Sequence, residues 1–323
     1  NMNSSIYRTI LINFFILLFF LIILEILTRA LIYFYIGNSN AGVQERTTNL
    51  IYQPYLMFGP EWRTKISDFN TNKKNQYTVL ILGASTAQNI PLDIFKNKIE
   101  KKLNKKINIF NGAYGGYNSI QQYIFLNMYG LDITPNLIIS IDGANDIIFS
   151  LRSSSIDSFY LDFTYNQYLS KPLIAPFIWI IQNSQFINSL NRFGKRFNNY
   201  DYKNYLAYID DYIKYKKLTN QILQSYNINH ISVLQPHVAF KNKLNENELI
   251  FTRYDYRKEV VKELYKYLNT SMLKIPLSKK YNYLDSRKIF DNNDAWIFSD
   301  DVHFINNDGY KILIDQIVKN IKN

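Results

Sequence analysis

With 323 residues, 47% of them hydrophobic, the chain is long enough to bury one full core. It has no cysteine, which excludes a disulfide framework, thiol catalysis and cysteine-based metal sites. The formal net charge of +11 comes from basic residues spread along the chain rather than gathered around a binding motif, so nucleic-acid binding is not expected.

The first element is apolar. After a short tail (1–8), "TILINFFILLFFLIIL" (9–24) carries no charge, and "ALIYFYI" continues the character to Ile36. One helix over 9–36 would run about 42 Å, against a hydrocarbon core of about 30 Å, so a single transmembrane anchor is predicted. No small-x-small cleavage site follows the apolar run, which favours an uncleaved anchor over a signal peptide. Glu25 and Arg29 share a helix face. An ion pair is unfavourable in lipid, so the pair is expected near the interface or against a membrane-protein partner. Arg8 favours a cytoplasmic N-terminus, whereas Arg29 and Arg46 oppose it.

Residues 37–75 are polar, with an aromatic island, "YQPYLMFGPEW" (52–62), and read as a tether that partly packs on the domain. From residue 76 onward strands and helices alternate. "TVLILGA" (78–84), "INIFN" (107–111), "NLIISID" (136–142), "HISVLQP" (230–236) and "YNYLD" (281–285) read as strands, the continuous apolar runs as strands buried on both faces. "PLDIFKNKIEKKL" (91–103), "SIQQYIFLNMYG" (119–130) and "DGYKILIDQIVKNI" (308–321) read as helices. Within the first, Leu92, Phe95, Ile99 and Leu103 form an apolar face, and the lysines of "KNKIEKKLNKK" fall on the solvated one. An aromatic, partly helical insertion is expected at about 150–229. The alternation predicts a three-layer α/β/α sandwich with a central parallel sheet, flavodoxin-like in type, behind one N-terminal transmembrane helix.

In open parallel sheets, sites form beyond the carboxyl ends of the strands. There the chain places "GAST" with Ser85, "NGAYGGYNS" with Gly115 and Gly116, "DGANDI" with Asn145, and "SDDVHF" with Asp300, Asp301 and His303. Taken singly, Ser85 reads as a helix cap, Asn145–Asp146 as a turn and Asp300–His303 as a surface turn. Their order, with the first three directly after predicted strands and the last in the loop beyond the fifth, points to chemistry. His237 and Asp301 are candidates for lining the pocket, while His230 reads as the start of a strand. The three histidines lack zinc-ligand spacing, and "GAYGG" is not a dinucleotide fingerprint, so neither metal nor cofactor is expected.

The series Ser85, Gly116, Asn145, His303 resembles the SGNH (GDSL-like) hydrolase superfamily over about 77–323, with "GANDI" and "DDVHF…GY" the more specific parts. The N-terminal anchor and "YQPYLMFGP" are similar to membrane-tethered members. The resemblance implies Ser85 as nucleophile, His303 as general base and acid, and Asp300, three residues before it, as the orienting carboxylate, with Asp301 the alternative. It implies an oxyanion hole of the Ser85 and Gly116 N–H groups and the Asn145 amide. The family's usual Gly-Asp-Ser is Gly-Ala-Ser here, so Ala84 replaces an acidic side chain. The implied function is a membrane-anchored serine esterase acting outside the cytoplasm. Its substrate would be an O-acylated, specifically O-acetylated, cell-envelope glycan. An O-acyltransferase, a lipid esterase and a non-catalytic envelope scaffold with a membrane partner are the alternatives.

Overall fold

The computed structural model describes residues 2–36, 51–53, 55–151, 184, 186–187, 189–190, 201–252, 258–276 and 280–322. The chain divides into two compact units, 1–48 with 163–199 and 49–162 with 200–323, and each is described by itself.

In the first unit, helix α1 spans Met2–Ile36. An 18-residue window within its stretch Tyr7–Leu31 has a mean hydropathy of 3.0, and the stretch is long and apolar enough to cross a membrane. Phe14, Phe19 and Leu27 stand exposed on it. Glu25 accepts from Arg29 Nε at 2.8 Å, one turn on. Its second oxygen accepts from Ser184 Oγ at 2.7 Å and from the Phe186 N–H at 3.0 Å. The carboxylate is therefore satisfied by its own chain. The expectation of a separate membrane-protein partner loses the observation that motivated it.

The second unit is built on a five-stranded parallel sheet, β3 Tyr77–Gly83, β4 Ile107–Asn111, β5 Leu137–Asp142, β6 Asn229–Leu234 and β7 Tyr281–Asp285, in the spatial order β4-β3-β5-β6-β7. All four pairings are parallel. Side chains alternate across the sheet, as strand geometry requires. Val79, Ile81, Ile139, Ile231 and Val233 pack on one face against Phe95, Ile99, Leu313 and Ile317. The first pair comes from α4 (Leu92–Leu103), the second from α10 (Asn307–Lys319). On the other face, Leu80, Leu82 and Ile138 meet Phe125 of α5 (Ser119–Phe125) and Trp62 and Ile66 of α2 (Trp62–Asn72). Leu234 meets Ile209 and Tyr212 of α7 (Leu206–Ser225) and Leu264 and Leu268 of α9 (Lys258–Leu273). Three layers follow because each strand is apolar on both sides. The short helices α3 (Ser85–Gln88), α6 (Ala144–Ser150) and α8 (Glu246–Thr252) complete the unit.

Two sequence-based boundaries shift. The tether expected over 37–75 is folded from Ile51: β1 (Ile51–Gln53) pairs antiparallel with β2 (Met57–Gly59), and α2 follows. Leu56 is fully buried and Trp62 nearly so. The segment's scattered aromatics show no helix or strand period, so its anchorage in the core is not visible from pattern alone. The insertion expected over 150–229 ends earlier. Helix α7 lies between β5 and β6 in the chain, burying Tyr208, Ile209, Tyr212 and Ile213, while residues 152–183, 185, 188 and 191–200 of that span lie outside the described residues.

One face of the sheet carries a buried polar chain. Ser140, Asp142, His230 and Ser232 point toward α7, each at most 2% exposed. Lys216 Nζ pairs with Asp142 and donates to Ser140 Oγ at 3.2 Å. Ser140 Oγ lies 3.0 Å from His230 Nε2. Burial pushes His230 down to about 3, and the Lys216 charge adds to it. The native imidazole is therefore neutral, while the unfolded chain takes up a proton below about 6.5. Its contribution is fully present above that pH and is lost as pH falls toward 3, on the order of 5 kcal/mol in all. Urea unfolding of the detergent-solubilised chain is expected to show a steep loss of stability between pH 6.5 and 4. His230→Gln should flatten that slope.

Candidate active site

The sheet's chain order reverses between β3 and β5, and open α/β sheets bind ligands at such a switch point. Ser85 leaves the end of β3 and Asn145 leaves the end of β5, one on each side of that crevice. Gly83 makes the turn into Ser85 at φ +148°, where a Cβ would sit 2.3 Å from the Ile141 carbonyl oxygen. Only glycine fits, which gives the first residue of "GAST" a steric reason. Ala84 is 3% exposed, and an acidic side chain there would enter the core.

Ser85, His303 and Asp300 stand in series. Ser85 Oγ lies 2.6 Å from His303 Nε2, and His303 Nδ1 lies 2.6 Å from Asp300 Oδ2. The other Asp300 oxygen accepts the Val302 and His303 N–H groups at 2.9 and 2.8 Å. Asp300 thus holds both the ring and the turn that carries it. Asp301 does not bond the ring: its carbonyl accepts the Val238 N–H at 2.9 Å, and its charge acts on His303 at longer range.

The electrostatics follow from that geometry. The hydrogen bond to Asp300 raises His303 above its ordinary value; burial opposes this, and the Asp300 and Asp301 charges reinforce it. Burial pushes Asp300 up, but the His303 ring and the backbone N–H groups outweigh it, so the carboxyl stays below its usual range. A carboxylate beside an imidazole with its Nε2 on a serine can fix the tautomer and stabilise the imidazolium. Asp300→Asn is therefore expected to lower serine reactivity about 10⁴-fold by imposing the wrong tautomer, and Asp301→Asn less than about tenfold. Stopped-flow measurement of phosphonylation by a fluorophosphonate separates the two.

Gly115, the residue before Gly116, lies beside the serine. Gly115 donates its N–H to Gln88 Oε1 at 2.7 Å, and a Cβ on Gly115 would lie 3.8 Å from that of Ser85. Among the described residues, the N–H groups of Ser85 and Gly116 have no acceptor. Gly116 has φ +84°, a conformation that favours glycine. Asn145 Nδ2 donates to the Tyr117 carbonyl at 3.0 Å, which ties its amide to the same loop.

Other residues packed around these loops carry no clear sequence signal. Asp146, beside Asn145, is fully buried and accepts from both Ser119 N and Ser119 Oγ, at 3.0 and 2.6 Å. Burial pushes it up to about 7, against the Ser119 bond. It joins the Asn145 turn to the end of the Gly116 loop. From the aromatic island, Phe58 packs on Tyr114 and Tyr117, and Tyr117 Oη donates to the Phe58 carbonyl at 2.8 Å. Gln121 Nε2 donates to the Leu56 carbonyl at 2.8 Å. The segment read as tether is thus the outer wall of the glycine loop.

His237 corrects an expectation. It is 2% exposed, its Nδ1 accepts the Ala239 N–H at 3.0 Å, and its ring meets Tyr265 edge-on at 5.4 Å. It caps the Val238–Phe240 turn beneath the Asp301 carbonyl instead of lining an open pocket. A histidine preceding a turn can cap it locally, and that local bond wins here. Among the described residues no cluster of His, Asp and Glu is arranged to hold a metal.

The arrangement defines a class of site: a serine hydroxyl backed by an imidazole and a carboxylate, at the switch point of a parallel α/β sheet. No protein-family model and no curated protein matches the chain. Solved structures do match in outline. A Bacteroides fragilis protein whose acylhydrolase activity is itself inferred shares 13% identity at a TM-score of 0.48, over 80% of this chain and 93% of its own. A GDSL-like lipase from Bacteroides thetaiotaomicron shares 11% at 0.44, over 80% and 96%. An acetylxylan esterase from Geobacillus stearothermophilus shares 11% at 0.41, over 76% and 95%. Likeness at this level carries no argument about activity, and the chemistry rests on this chain's own residues.

Proposed function

We propose that the chain is a membrane-anchored serine esterase of SGNH type that removes O-acetyl groups from a cell-envelope glycan. The observation that carries the reading is the continuous series Ser85 Oγ, His303 Nε2, His303 Nδ1, Asp300 Oδ2, with 2.6 Å at both bonds. The order of its four motifs along the chain supports the family. The apolar span Tyr7–Leu31 supports the anchor.

In this reading Ser85 Oγ attacks the acyl carbonyl carbon while its proton passes to His303 Nε2. The carbonyl oxygen becomes an oxyanion facing the Ser85 and Gly116 N–H groups and the Asn145 amide. Each such donor contributes about 3 kcal/mol or more to the transition state. Collapse breaks the bond from the carbonyl carbon to the sugar oxygen, and the imidazolium gives its proton to that departing oxygen, which leaves as the free hydroxyl. Water, deprotonated by His303, then attacks the acyl-Ser85 ester, releasing acetate and the free serine. Because His303 must start neutral and its titration is raised, the rate is expected to climb with pH through a midpoint above 6.5. The Phe58 ring lies 3.3 Å from where a Cβ on Gly116 would sit, so it closes one side of the glycine loop.

The test uses the full chain in detergent. It is given p-nitrophenyl esters of increasing acyl length and an O-acetylated oligosaccharide. Free acetate, with preference for two-carbon over eight-carbon esters, is the expected result. Acetyl transferred to a second sugar would replace hydrolase by transferase, long-chain preference would indicate a lipid esterase, and no turnover of any ester would overturn the reading.

A further inference from the structure

His303 and Asp300 sit on a narrow hairpin. Phe298 bridges Phe304, Ser299 donates its N–H to the His303 carbonyl at 2.9 Å, and Ile305 donates to the Ile297 carbonyl at 2.9 Å. A turn this short, with a half-exposed Asp300, needs something to hold its base.

That base rests on a buried carboxylate far away in sequence. Glu248, in α8, is fully buried. Its Oε1 accepts the Ile297 and Phe298 N–H groups, each at 3.0 Å. Its Oε2 accepts Lys241 Nζ at 2.5 Å and the Asn245 N–H at 2.9 Å. Lys241, 3% exposed, also donates to the Ala295 carbonyl at 2.5 Å. Two further bonds hold the tip: Val238 N–H to the Asp301 carbonyl at 2.9 Å, and Thr86 Oγ1 to the Val302 carbonyl at 3.3 Å. Residues 238–248 therefore grip the hairpin at both ends, and Thr86, the residue after the serine, holds its tip.

A buried ion pair is seldom retained for stability alone, because removing two charges from water offsets most of their attraction. This pair spends both carboxylate oxygens on the hairpin and its support. We infer that Glu248, held in charge and orientation by Lys241, is a positioning residue that sets the His303–Asp300 hairpin against Ser85. The inference rests on the esterase reading above for its kinetic consequence, but not for its structural one. Glu248 touches no reacting atom; it acts through Ile297 and Phe298.

Glu248→Gln keeps the shape and one acceptor, but turns an amide N–H₂ toward Lys241 Nζ and the Asn245 N–H. The hairpin base should loosen, and with it the Asp300–His303 bond that raises the imidazole. A displacement near 1 Å at a reacting group lowers rates about 100-fold, so a loss of 10- to 100-fold in kcat for p-nitrophenyl acetate is expected, with KM changed less than about threefold. The acid limb of the pH profile should shift to lower pH, because the bond that raises His303 is weakened. The same shift is read without catalysis by NMR titration of the His303 ring, in chain labelled at its three histidines. A purely structural Glu248 would reduce stability and leave the midpoint of His303 where it was. Should the Gln variant not fold, Glu248→Asp keeps the charge for Lys241 but is one methylene short of Ile297 and Phe298, and carries the same comparison. An unchanged His303 midpoint in a folded variant overturns the inference. A wild-type chain that turns over no ester overturns the esterase reading, and the NMR midpoint still decides the role of Glu248.

Discussion

Ser85→Ala and His303→Ala are each expected to lower ester turnover about 10⁴- to 10⁶-fold while leaving the fold intact. The backbone reason for an intact fold is specific. The turn at Ser85 is held by main-chain bonds, Gln88 N–H to the Ala84 carbonyl at 2.8 Å and Asn89 N–H to the Ser85 carbonyl at 3.0 Å, which alanine preserves. In the His303 variant, Asp300 still accepts the residue-303 N–H at 2.8 Å, so the turn keeps its own closure. The two losses should not add. Once the serine has no base, or the base no serine, the remaining rate comes from the donors around the oxyanion alone. The double variant is therefore expected to match the worse single one within about threefold. Covalent labelling by a fluorophosphonate should vanish in Ser85→Ala. Labelling that persists there would locate the reactive hydroxyl elsewhere and remove the assignment of Ser85.

Lys216→Ala carries the largest expected effect on stability. Asp142 is 2% exposed and Lys216 4% exposed, and the pair lies between β5 and α7. Removing the cation leaves a carboxylate in the core with the Tyr212 hydroxyl, at 2.7 Å, as its remaining side-chain donor in that network. Breaking a buried pair in this way costs about 3–5 kcal/mol, because the surviving charge is uncompensated. Lys216→Met with Asp142→Asn removes both charges, and the amide oxygen still accepts from Tyr212. The double variant is expected to recover more than half of the loss. Urea denaturation in detergent checks both: a single variant within about 1 kcal/mol of wild type would mean that water reaches Asp142 in solution. The position also matters for the site, since Asp142 ends the strand that Gly143, Ala144 and Asn145 continue.

Much of this was legible in one dimension because the physics is local. Apolar runs such as "TVLILG" and "NLIISID" have no reading as half-exposed strands, so a parallel sheet covered on both faces followed from them. The predicted and observed strands agree within two residues at each end, with "INIFN" and "YNYLD" matching at both ends. Motif order points to Ser85, His303 and Asp300, and the three-residue spacing favours Asp300 over Asp301. One turn can supply carboxylate and imidazole only if the carboxylate reaches back to the ring, and Asp300 does so at 2.6 Å.

What the tertiary structure decided depends on contacts between residues distant in sequence. Glu248 and Lys241 belong to no motif in the sequence, yet they support the turn at His303 through the Ile297 and Phe298 N–H groups. Phe58 reads as part of a tether, yet Leu56 and Trp62 bury the segment and press it against the glycine loop. Glu25 and Arg29 read as an ion pair set near the interface or against a membrane-protein partner, yet Ser184 and Phe186 of the same chain satisfy the second oxygen of Glu25. Sequence patterns report the burial that a residue's own strand or helix imposes. They do not report which distant backbone N–H a carboxylate will meet, and here those distant bonds set the geometry at Ser85.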